Sequence, residues 1–334
     1  MIKTLLGAHN FYKANLHAHT DVSDGVMTPE ELKCAYLNEG YSVVAFTDHE
    51  VFVPHNDLTD DKFLAVNGYE ISLNEKCDKS FPFIRACHLN AYAEDENAVV
   101  PPYFNIDSVW LKKSLGFVNA ETAKIKSDNS YTVENINKII ETANKSGFFV
   151  CYNHPVWSLA NPSDYMGVKN LWGIEVFNTG CDNCGLTDGD LPYGYLLNNG
   201  ENLYPVCSDD THKFADVGGG FTMIDAENLT YNSVIKSLKN GNFYSSEGPL
   251  IEKMFVDDGF LILKTTPCVK AVMLTNRRLS EVVTGESVTE IKFPLAAFFE
   301  GNKENEGGRN FVRVTLTDKS GKKAYTRAYL ESEL

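Results

Sequence analysis

The chain alternates between short apolar runs and segments with helical periodicity over most of its length. Apolar runs of four to eight residues between polar turns are typical of buried strands, whereas apolar residues three or four apart are typical of amphipathic helices. We predict helices at 29–39, 133–146 and 228–240; the first follows Thr28, a good N-cap, and begins with Pro29, which suits a first turn. Strands are predicted at 13–18, 42–47, 63–67, 86–92, 148–152, 172–177, 203–207 and 220–225.

This alternation predicts an α/β fold with a parallel sheet, because parallel strands need long crossover connections. Closure of such a sheet into a barrel would bring the carboxyl ends of all its strands to one rim. We therefore predict a barrel domain over 1–248 and a β-rich domain over 249–334, where short alternating strands separated by turns are typical of a small antiparallel β-sandwich. The strands predicted in this second domain are 261–264, 269–274, 290–293, 311–317 and 324–329.

Two segments interrupt the regular pattern. Residues 93–132 contain two consecutive prolines, charged residues and the aromatic residues Tyr103, Phe104 and Trp110. A loop of this length in a compact domain is usually functional or has structure of its own. Two interpretations stay open, a lid or wall of a pocket and a peripheral helical insert. Residues 180–194 are a second irregular segment that we expect at the rim.

Composition narrows the possible partners and the compartment. The formal net charge is −15, and Arg85 is the single arginine before residue 277, so we expect no contact with long nucleic acids, which require clustered cations. No apolar stretch is long enough to span a bilayer, so no membrane partner is expected. Eight cysteines are too few for a disulfide scaffold, and the apolar run at the N-terminus is too short for a secretory signal. We therefore expect a cytoplasmic protein.

Histidines and carboxylates follow several of the predicted strands. His17 and His19 lie two residues apart in an extended segment, so both side chains project to the same side, about 7 Å apart at the backbone. His49, His154 and His212 each come shortly after an apolar run. Polar residues at the ends of parallel strands converge, and imidazoles together with carboxylates suit divalent transition metals. The sequence therefore predicts a metal site at the rim.

The order of these motifs resembles the PHP family, the polymerase and histidinol phosphatase superfamily of metal-dependent phosphoesterases. The resemblance covers about residues 13 to 248 and does not extend to the C-terminal region. The matching motifs are His17-x-His19, Asp24-Gly25, Thr47-Asp48-His49, Glu70, His88, His154-Pro155 and Asp210-Thr211-His212.

This resemblance implies a distorted (β/α)7 TIM-like barrel that holds two or three divalent ions, Mn, Zn or Fe. It implies one ion on His17, His19, Glu70 and Asp210, a second that Glu70 bridges to His88 and His154, and a third on Asp24, His49 and His212. Asp210 is preferred to its neighbour Asp209 because the family has an Asp-x-His spacing at this position.

The function that follows is a metal-dependent hydrolase, a phosphoesterase in which a metal-activated bridging hydroxide hydrolyses a small phosphate monoester or diester. The expected partner is a small phosphorylated molecule, for example a nucleotide. His212 is the candidate proton donor, and Asp48 is a second catalytic candidate that could instead orient an imidazole. Further candidates for substrate contact or for orienting a ligand are Asp209, Glu175, Asn178, Arg85 and Lys213.

Two other functions remain as alternatives. The same ions could polarise a carbonyl, so a hydrolase of carboxylic esters, carbamates or amides is possible; the scarcity of arginine, which suits bidentate phosphate recognition, keeps this alternative open. A non-catalytic binding module ranks last, because a decayed site would be expected to lose ligands and all nine positions are filled.

Overall fold

The computed structural model describes residues 2–76, 84–276, 279–296 and 310–334. The described residues form sixteen β-strands and six α-helices. The strands are β1 (Lys3–Leu6), β2 (Asn10–Asn15), β3 (Val43–Phe46), β4 (Leu64–Asn74), β5 (Ala86–Ala93), β6 (Phe148–Tyr152), β7 (Gly173–Asn178), β8 (Tyr204–Ser208), β9 (Phe221–Ala226), β10 (Phe243–Ser246), β11 (Ile251–Asp257), β12 (Phe260–Thr275), β13 (Ser280–Pro294), β14 (Phe311–Thr317), β15 (Lys323–Thr326) and β16 (Tyr329–Leu330). The helices are α1 (Pro29–Asn38), α2 (Val133–Lys145), α3 (Pro162–Tyr165), α4 (Thr179–Asn183), α5 (Leu191–Asn198) and α6 (Tyr231–Asn240).

The three predicted helices correspond to α1, α2 and α6, and their ends carry recognisable caps. Thr28 accepts a hydrogen bond from the Glu31 amide, and the Glu31 carboxylate accepts one from the Thr28 amide, which forms a capping box at the start of α1. Gly241 ends α6 with a left-handed φ of 67°, a conformation that glycine adopts at little cost. Among the described residues, we find no helix with both the length and the apolar character that a membrane span requires.

The eight predicted N-terminal strands correspond to β2 to β9, but the sheet that they form is mixed. β2, β3 and β4 are parallel to one another, as are β6, β7 and β8, whereas β5 runs antiparallel to both β4 and β6. β9 pairs antiparallel with β2. The sheet is therefore not all-parallel, and the prediction of an all-parallel barrel was wrong. The connection from β4 to β5 spans residues 75–85, which is shorter than the dozen or so residues that a parallel crossover needs.

The hydrogen-bonded path ends at β8, so the ladder is open. Side chains cross the gap instead, since Thr222 donates to the Cys207 carbonyl at 3.2 Å and Ser245 donates to the Pro205 carbonyl at 2.7 Å. Beyond the strand ends, the His19 amide donates to the Thr211 carbonyl at 2.9 Å. The segments that follow β2 and β8 therefore meet at one rim although the sheet does not close.

The C-terminal strands continue the same sheet through the pairing of β10 with β15, and β1 joins them by pairing with β11. Two predicted strands, 261–264 and 269–274, are parts of the single strand β12. β12 pairs with β11 along its first half and with β14 along its second half. Leu263 from the first half and Met273 from the second lie in one buried apolar cluster. The domain boundary after residue 248 stays a prediction.

Candidate metal centre

The structure brings the nine predicted ligands together at this rim. They come from six different strands and the loops that follow them: His17, His19 and Asp24 after β2, His49 after β3, Glu70 in β4, His88 in β5, His154 after β6, and Asp210 and His212 after β8. His17 and His19 are completely buried and Glu70 is 1 % exposed, whereas Asp24, His49 and His212 are only half-buried. The cluster therefore extends from the interior of the protein to solvent.

Two carboxylates lie beside the paired imidazoles of His17 and His19. His17 Nε2 lies 3.1 Å from His19 Nε2, 3.2 Å from Asp210 Oδ1 and 3.3 Å from Glu70 Oε1. His19 Nε2 lies 3.0 Å from Asp210 Oδ1 and 3.4 Å from Glu70 Oε2. Ligand atoms that share a tetrahedral ion at bond lengths near 2.0–2.2 Å are separated by roughly 3.3 Å. The spacing of His17, His19 and Glu70 is therefore suited to one divalent ion, and Asp210 Oδ1 lies beside both imidazoles.

Two buried carboxylate oxygens of this group test the fit directly. Glu70 Oε2 and Asp210 Oδ1 are inaccessible to solvent and have no hydrogen bond of good geometry in the described part of the chain, although an imidazole nitrogen lies 3.0 Å from each. A buried acceptor without a partner costs about 1–3 kcal/mol, and more when it is charged. A cation at this position would compensate both oxygens, so the residues fit a divalent metal.

Glu70 also contacts imidazoles on its outer side. His49 Nδ1 lies 3.0 Å from Glu70 Oε2, and Glu70 Oε1 lies 3.2 Å from His88 Nδ1 and 3.3 Å from His154 Nε2. His49, Glu70 and His88 could together hold an ion, since their ligand atoms all lie within 4.8 Å of one another. This group includes His49, which the family resemblance assigns to another ion.

Asp24 forms the centre of the outermost group. Its Oδ2 lies 3.3 Å from His212 Nε2 and 3.8 Å from His49 Nε2, and its Oδ1 lies 3.8 Å from His19 Nδ1. One ligand atom from each of these four residues lies within 4.8 Å of the others, so these residues could also share an ion. The division of the nine ligands into sets stays a prediction, as does the number of ions.

The charges of the cluster shift its pKa values in opposite directions. Burial lowers the pKa of His17, but the nearby carboxylates, Asp210 foremost, outweigh burial and hold it well above its ordinary value. Burial raises the pKa of Glu70, but His17 and the other imidazoles outweigh it and hold that pKa well below its ordinary value. For His154 and His212, too, nearby carboxylates outweigh burial, and they raise the pKa of His154 to about 8 and that of His212 to about 9. The metal-free cluster therefore retains protons that bound ions would displace.

Unusual backbone geometry places two of the ligands. His154 and Asp210 have positive φ angles of 25° and 51°, in a region that non-glycine residues seldom occupy. Gly25, which follows the ligand Asp24, is required for a steric reason, because a Cβ at this position would lie 2.4 Å from the His19 carbonyl oxygen. Such strain is often found at functional sites, where the surrounding structure holds it in place.

Asp209 and Asp210 are neighbours with different surroundings. The Asp209 carboxylate accepts hydrogen bonds from the amides of Gly218, Gly219 and Gly220 at 2.8, 3.0 and 2.7 Å and from the Tyr36 hydroxyl at 3.0 Å. These contacts hold the glycine turn against the end of β8. Asp210 instead faces His17 and His19, the orientation that the predicted choice of Asp210 as ligand requires.

Glu175 and Asn178 orient the ligands. Glu175 Oε1 accepts a hydrogen bond from His17 Nδ1 at 2.9 Å, which leaves Nε2 of this imidazole facing the cluster. Glu175 Oε2 accepts from the His154 amide at 2.9 Å. Asn178 Nδ2 donates to Glu175 at 3.0 Å and to Asp210 Oδ2 at 3.2 Å. Both residues were predicted either to contact the substrate or to orient a metal ligand. The contacts that the structure shows are with predicted metal ligands.

Asp48 and Arg85 have different surroundings from those expected of catalytic or substrate-binding residues. Asp48 accepts four hydrogen bonds, at 2.6–3.1 Å, from the amides and hydroxyls of Thr20 and Ser23, and it does not line the cavity beside the cluster. It therefore holds the loop between His19 and Asp24. Arg85 is engaged by the carboxylates of Glu75 and Asp164 at 2.7 and 2.8 Å and is likewise outside the cavity lining.

The cluster opens into a cavity of about 760 Å³. His212, 36 % exposed at its side chain, and Lys213, 61 % exposed, both line this cavity. Gly180, Cys181 and Cys184, from the second irregular segment, also belong to the lining. The position of 180–194 at the rim therefore agrees with the sequence analysis.

The segment 93–132 forms one wall of the cavity, so the pocket-wall interpretation holds and the peripheral one does not. It contributes Asp107, Ser108, Trp110 and Asn129 to the lining. Lys113 donates to the Asp21 carbonyl and Ser114 donates to the Val22 carbonyl, both at 2.7 Å. These bonds fix the wall to the loop that carries Asp24.

Sequence reasoning missed several residues around the cluster. Asn153 donates to Glu70 Oε1 at 2.7 Å, Ser208 donates to Glu175, and Ser158 Oγ lies 3.2 Å from His154 Nδ1. Asn153 and Ser208 each directly precede a predicted functional residue at a strand end, and this adjacency was a usable signal. Trp157, which lines the cavity, carries no such signal because it lies in an irregular loop.

Comparison with known proteins gives structural matches alone, since the chain matches no protein-family model and no curated protein. A two-domain protein from Bacteroides vulgatus, described as containing a predicted PHP-like metal-dependent phosphoesterase, matches with TM-score 0.44 and 13 % identity over 97 % of this chain and 96 % of that one. A putative metal-dependent phosphoesterase from Bifidobacterium adolescentis matches with TM-score 0.38 and 15 % identity over 67 % and 94 % of the two chains. An amidohydrolase from Chromobacterium violaceum matches with TM-score 0.38 and 14 % identity over 69 % and 96 %. Because these TM-scores are below 0.5, the function proposed below is built on the geometry of the site.

Proposed function

We propose that the chain is a metal-dependent phosphoesterase of the PHP superfamily that hydrolyses a small phosphate monoester or diester. One observation carries this proposal: Glu70 Oε2 and Asp210 Oδ1 are buried, face imidazole nitrogens 3.0–3.4 Å away and have no well-aligned hydrogen bond among the described residues. An arrangement of buried carboxylates and imidazoles with unsatisfied acceptors is costly to the free protein and is compensated by bound cations.

Two or three divalent ions, Mn, Zn or Fe, would be held by the nine ligands of the cluster. Bound there, such ions would lower the pKa of a water molecule and neutralise the oxygens of a phosphoryl group. Glu175 keeps the His17 ring in the orientation that presents Nε2. Asp48 holds the loop that carries Asp24 through its bonds to Thr20 and Ser23.

In the two-ion form, in which no metal occupies the outermost group around Asp24, His212 is the residue that we propose to pass a proton to the leaving oxygen. It lies at the solvent edge of the cluster, and Asp24 and Asp210 outweigh its burial to raise its pKa to about 9. A proton on this imidazole at neutral pH is therefore available to the cavity. Lys213, exposed beside it, supplies a positive charge that suits a phosphate.

The substrate that we propose is a small phosphorylated molecule and not a long nucleic acid. The cavity of about 760 Å³ has the size of ligand pockets for small molecules. The net charge of −15 disfavours extended contact with a phosphate backbone.

A second candidate is hydrolysis of a carboxylic or carbamate ester at the same ions. It is favoured by the lining of the cavity, where the described residues include no arginine and where Arg85 is held by Glu75 and Asp164. A carbonyl substrate needs polarisation by a cation but not the bidentate recognition that arginine gives a phosphate.

The experiment is a hydrolysis screen on protein stripped with a chelator and reloaded with Mn, Zn or Fe. The substrates are p-nitrophenyl phosphate, its diester and p-nitrophenyl acetate, with the metal content measured in parallel. We expect metal-dependent release from a phosphate ester. Release from the acetate alone would reject the phosphoesterase in favour of the second candidate, and metal uptake without any hydrolysis would reject both.

A double variant tests the residues. His17→Ala with His19→Ala should remove bound metal and lower turnover by at least about 10³-fold, since the ions supply several kcal/mol of stabilisation to the transition state. His9→Ala is the matched control, because His9 is an exposed histidine outside the cluster, and it should leave both properties unchanged. Full activity in the double variant would contradict the proposed centre.

A further inference from the structure

Two of the three tryptophans of the chain face the cavity of the metal centre. Trp110, on the wall formed by 93–132, is 58 % exposed, and Trp157, in the loop after β6, is 41 % exposed. Trp172, the third, is buried in an apolar core. An indole offers a large apolar face, and exposed apolar surface that lines a cavity often marks a ligand-binding site. Both indoles are therefore candidates for contact with the substrate.

The two tryptophans belong to a row of four rings that crosses the metal centre. The aromatic row is Trp110, His49, His88 and Trp157, with successive ring centroids 6.1, 5.6 and 5.3 Å apart. The two histidines in the middle both contact Glu70, at 3.0 and 3.2 Å. A substrate whose reacting group lies beside Glu70 therefore has an indole within reach in either direction along the row.

The segments that carry both indoles are fixed by buried or partly buried hydrogen bonds. Ser114, close to Trp110, donates to the Val22 carbonyl at 2.7 Å. The Val156 amide, next to Trp157, donates to Asp188 at 2.8 Å, and Ser158 Oγ lies 3.2 Å from His154. Pre-organised aromatic side chains bind a ligand with a small loss of conformational entropy.

Hydroxyl and amide groups lie beside the aromatic row. Ser72, Asn74, Ser108 and Asn129 line the same cavity, and Asn129 Nδ2 donates to Ser108 Oγ at 3.4 Å. Such groups can donate to and accept from the edge of a heteroaromatic ring while an indole covers its face. The cavity thus offers separate contacts for the face and the edge of a planar group.

We infer that Trp110 and Trp157 bind the alcohol part of the ester by stacking, so that the substrate is a phosphate ester of a group with a flat aromatic or heteroaromatic ring. This inference rests on the proposed phosphoesterase function of the same site. Stacking on an aromatic side chain tolerates any ring with a π face, so a simple aryl ester and a nucleotide share the required chemistry.

The test compares esters within one enzyme. Trp110→Ala and Trp157→Ala are assayed on phenyl phosphate, adenosine monophosphate and glycerol phosphate, and the ratio of kcat/KM for a ring ester to that for glycerol phosphate is measured. We expect each variant to lower this ratio by about tenfold, mainly through KM, because one stacking contact contributes this order of affinity. A larger fall with adenosine monophosphate would identify the nucleobase as the ring, and a larger fall with phenyl phosphate would identify a simple aryl group.

A matched control and a metal assay separate stacking from damage to the centre. Phe117→Ala removes an aromatic side chain that is 49 % exposed on the same 93–132 segment but outside the cavity lining, and it should leave the ratio unchanged. Metal content is measured for each variant, and a loss shared by all three esters cancels in the ratio. An unchanged ratio in both tryptophan variants would overturn the inference.

A binding measurement keeps the inference testable without turnover. Adenosine and ribose are added to the protein and observed by saturation-transfer NMR, which reports the ligand protons that contact the protein. We expect contact at the base protons of adenosine and a loss of this contact in the tryptophan variants. Contact with ribose alone, or base contact that both variants retain, would overturn stacking. Base contact in a protein without hydrolytic activity would reject the proposed function while supporting the stacking site.

Discussion

The metal centre and the C-terminal strands are parts of one sheet, yet their interiors are opposite in character. In the metal centre the fully buried side chains are His17, His19 and Glu70, whereas between the C-terminal strands they are apolar, as at Leu263 and Leu316. Apolar burial stabilises a fold, while buried charge costs free energy unless it is paired. The comparison predicts that a substitution between the C-terminal strands changes stability without changing metal binding, and that a substitution beside the cluster changes metal binding.

A core substitution in the C-terminal region should have the largest effect on stability. Leu316→Ala removes a fully buried side chain from β14, and we expect a loss of about 2–5 kcal/mol in the free energy of unfolding, because a cavity remains. Chemical denaturation measures this loss, and metal titration of the folded variant should give the wild-type stoichiometry. Loss of metal from the folded variant would show that the two regions are coupled.

A substitution beside the metal cluster should affect metal affinity more than stability. Glu175→Gln keeps the shape of the side chain but weakens its hydrogen bond to His17, and we expect metal affinity to fall about 10- to 100-fold. Asp225→Asn is the matched control, because this buried carboxylate accepts bonds from the amides of Gly7, Ala8 and His9, far from the cluster. The control should lose stability and keep its metal affinity. Equal metal affinities in the two variants would contradict the positioning role of Glu175.

The smallest expected effect is a pH dependence confined to the metal centre. The pKa of His154 is raised by folding to about 8, so its stabilising effect is complete below the unfolded value near 6.5 and is lost as the pH rises through 8. We expect metal-free protein to lose about 2 kcal/mol from this residue between pH 6.5 and 9, and added metal to stabilise the protein more at pH 9, where its ligands are deprotonated.

Thermal unfolding at pH 6.5, 8 and 9, with and without Mn, measures this dependence. Leu316→Ala should show the same pH dependence from a lower starting stability, because the titrating groups lie in the other region. Unfolding temperatures that change in parallel with and without metal would count against competition between protons and ions.

Local patterns were sufficient to predict most elements of secondary structure. The strand that ends before His49 and the helix that begins at Thr28 follow from apolar runs and caps, which are properties of adjacent residues. The candidate ligands could be proposed from polar residues at strand ends together with the motif order of the PHP resemblance, and the structure brings these residues together. Asp210 was distinguished from Asp209 by motif spacing, and the structure adds the physical reason, which is the glycine turn that binds Asp209.

Features that depend on distant segments could not be predicted in this way. The antiparallel direction of β5 and the pairing of β1 with β11 are set by contacts between segments far apart in the chain, and periodicity within a strand does not reveal direction or partner. Arg85 illustrates the same limit, because its proximity in sequence to His88 suggested substrate contact, whereas Asp164 engages it in the fold.

The most direct test is an anomalous-scattering measurement on crystals soaked in Mn or Zn. The nine ligands should surround at least two strong peaks, one of them within about 2.0–2.2 Å of both Glu70 and Asp210. A map without anomalous density at these carboxylates, from crystals that bind the metal elsewhere, would contradict the metal centre and the function proposed from it.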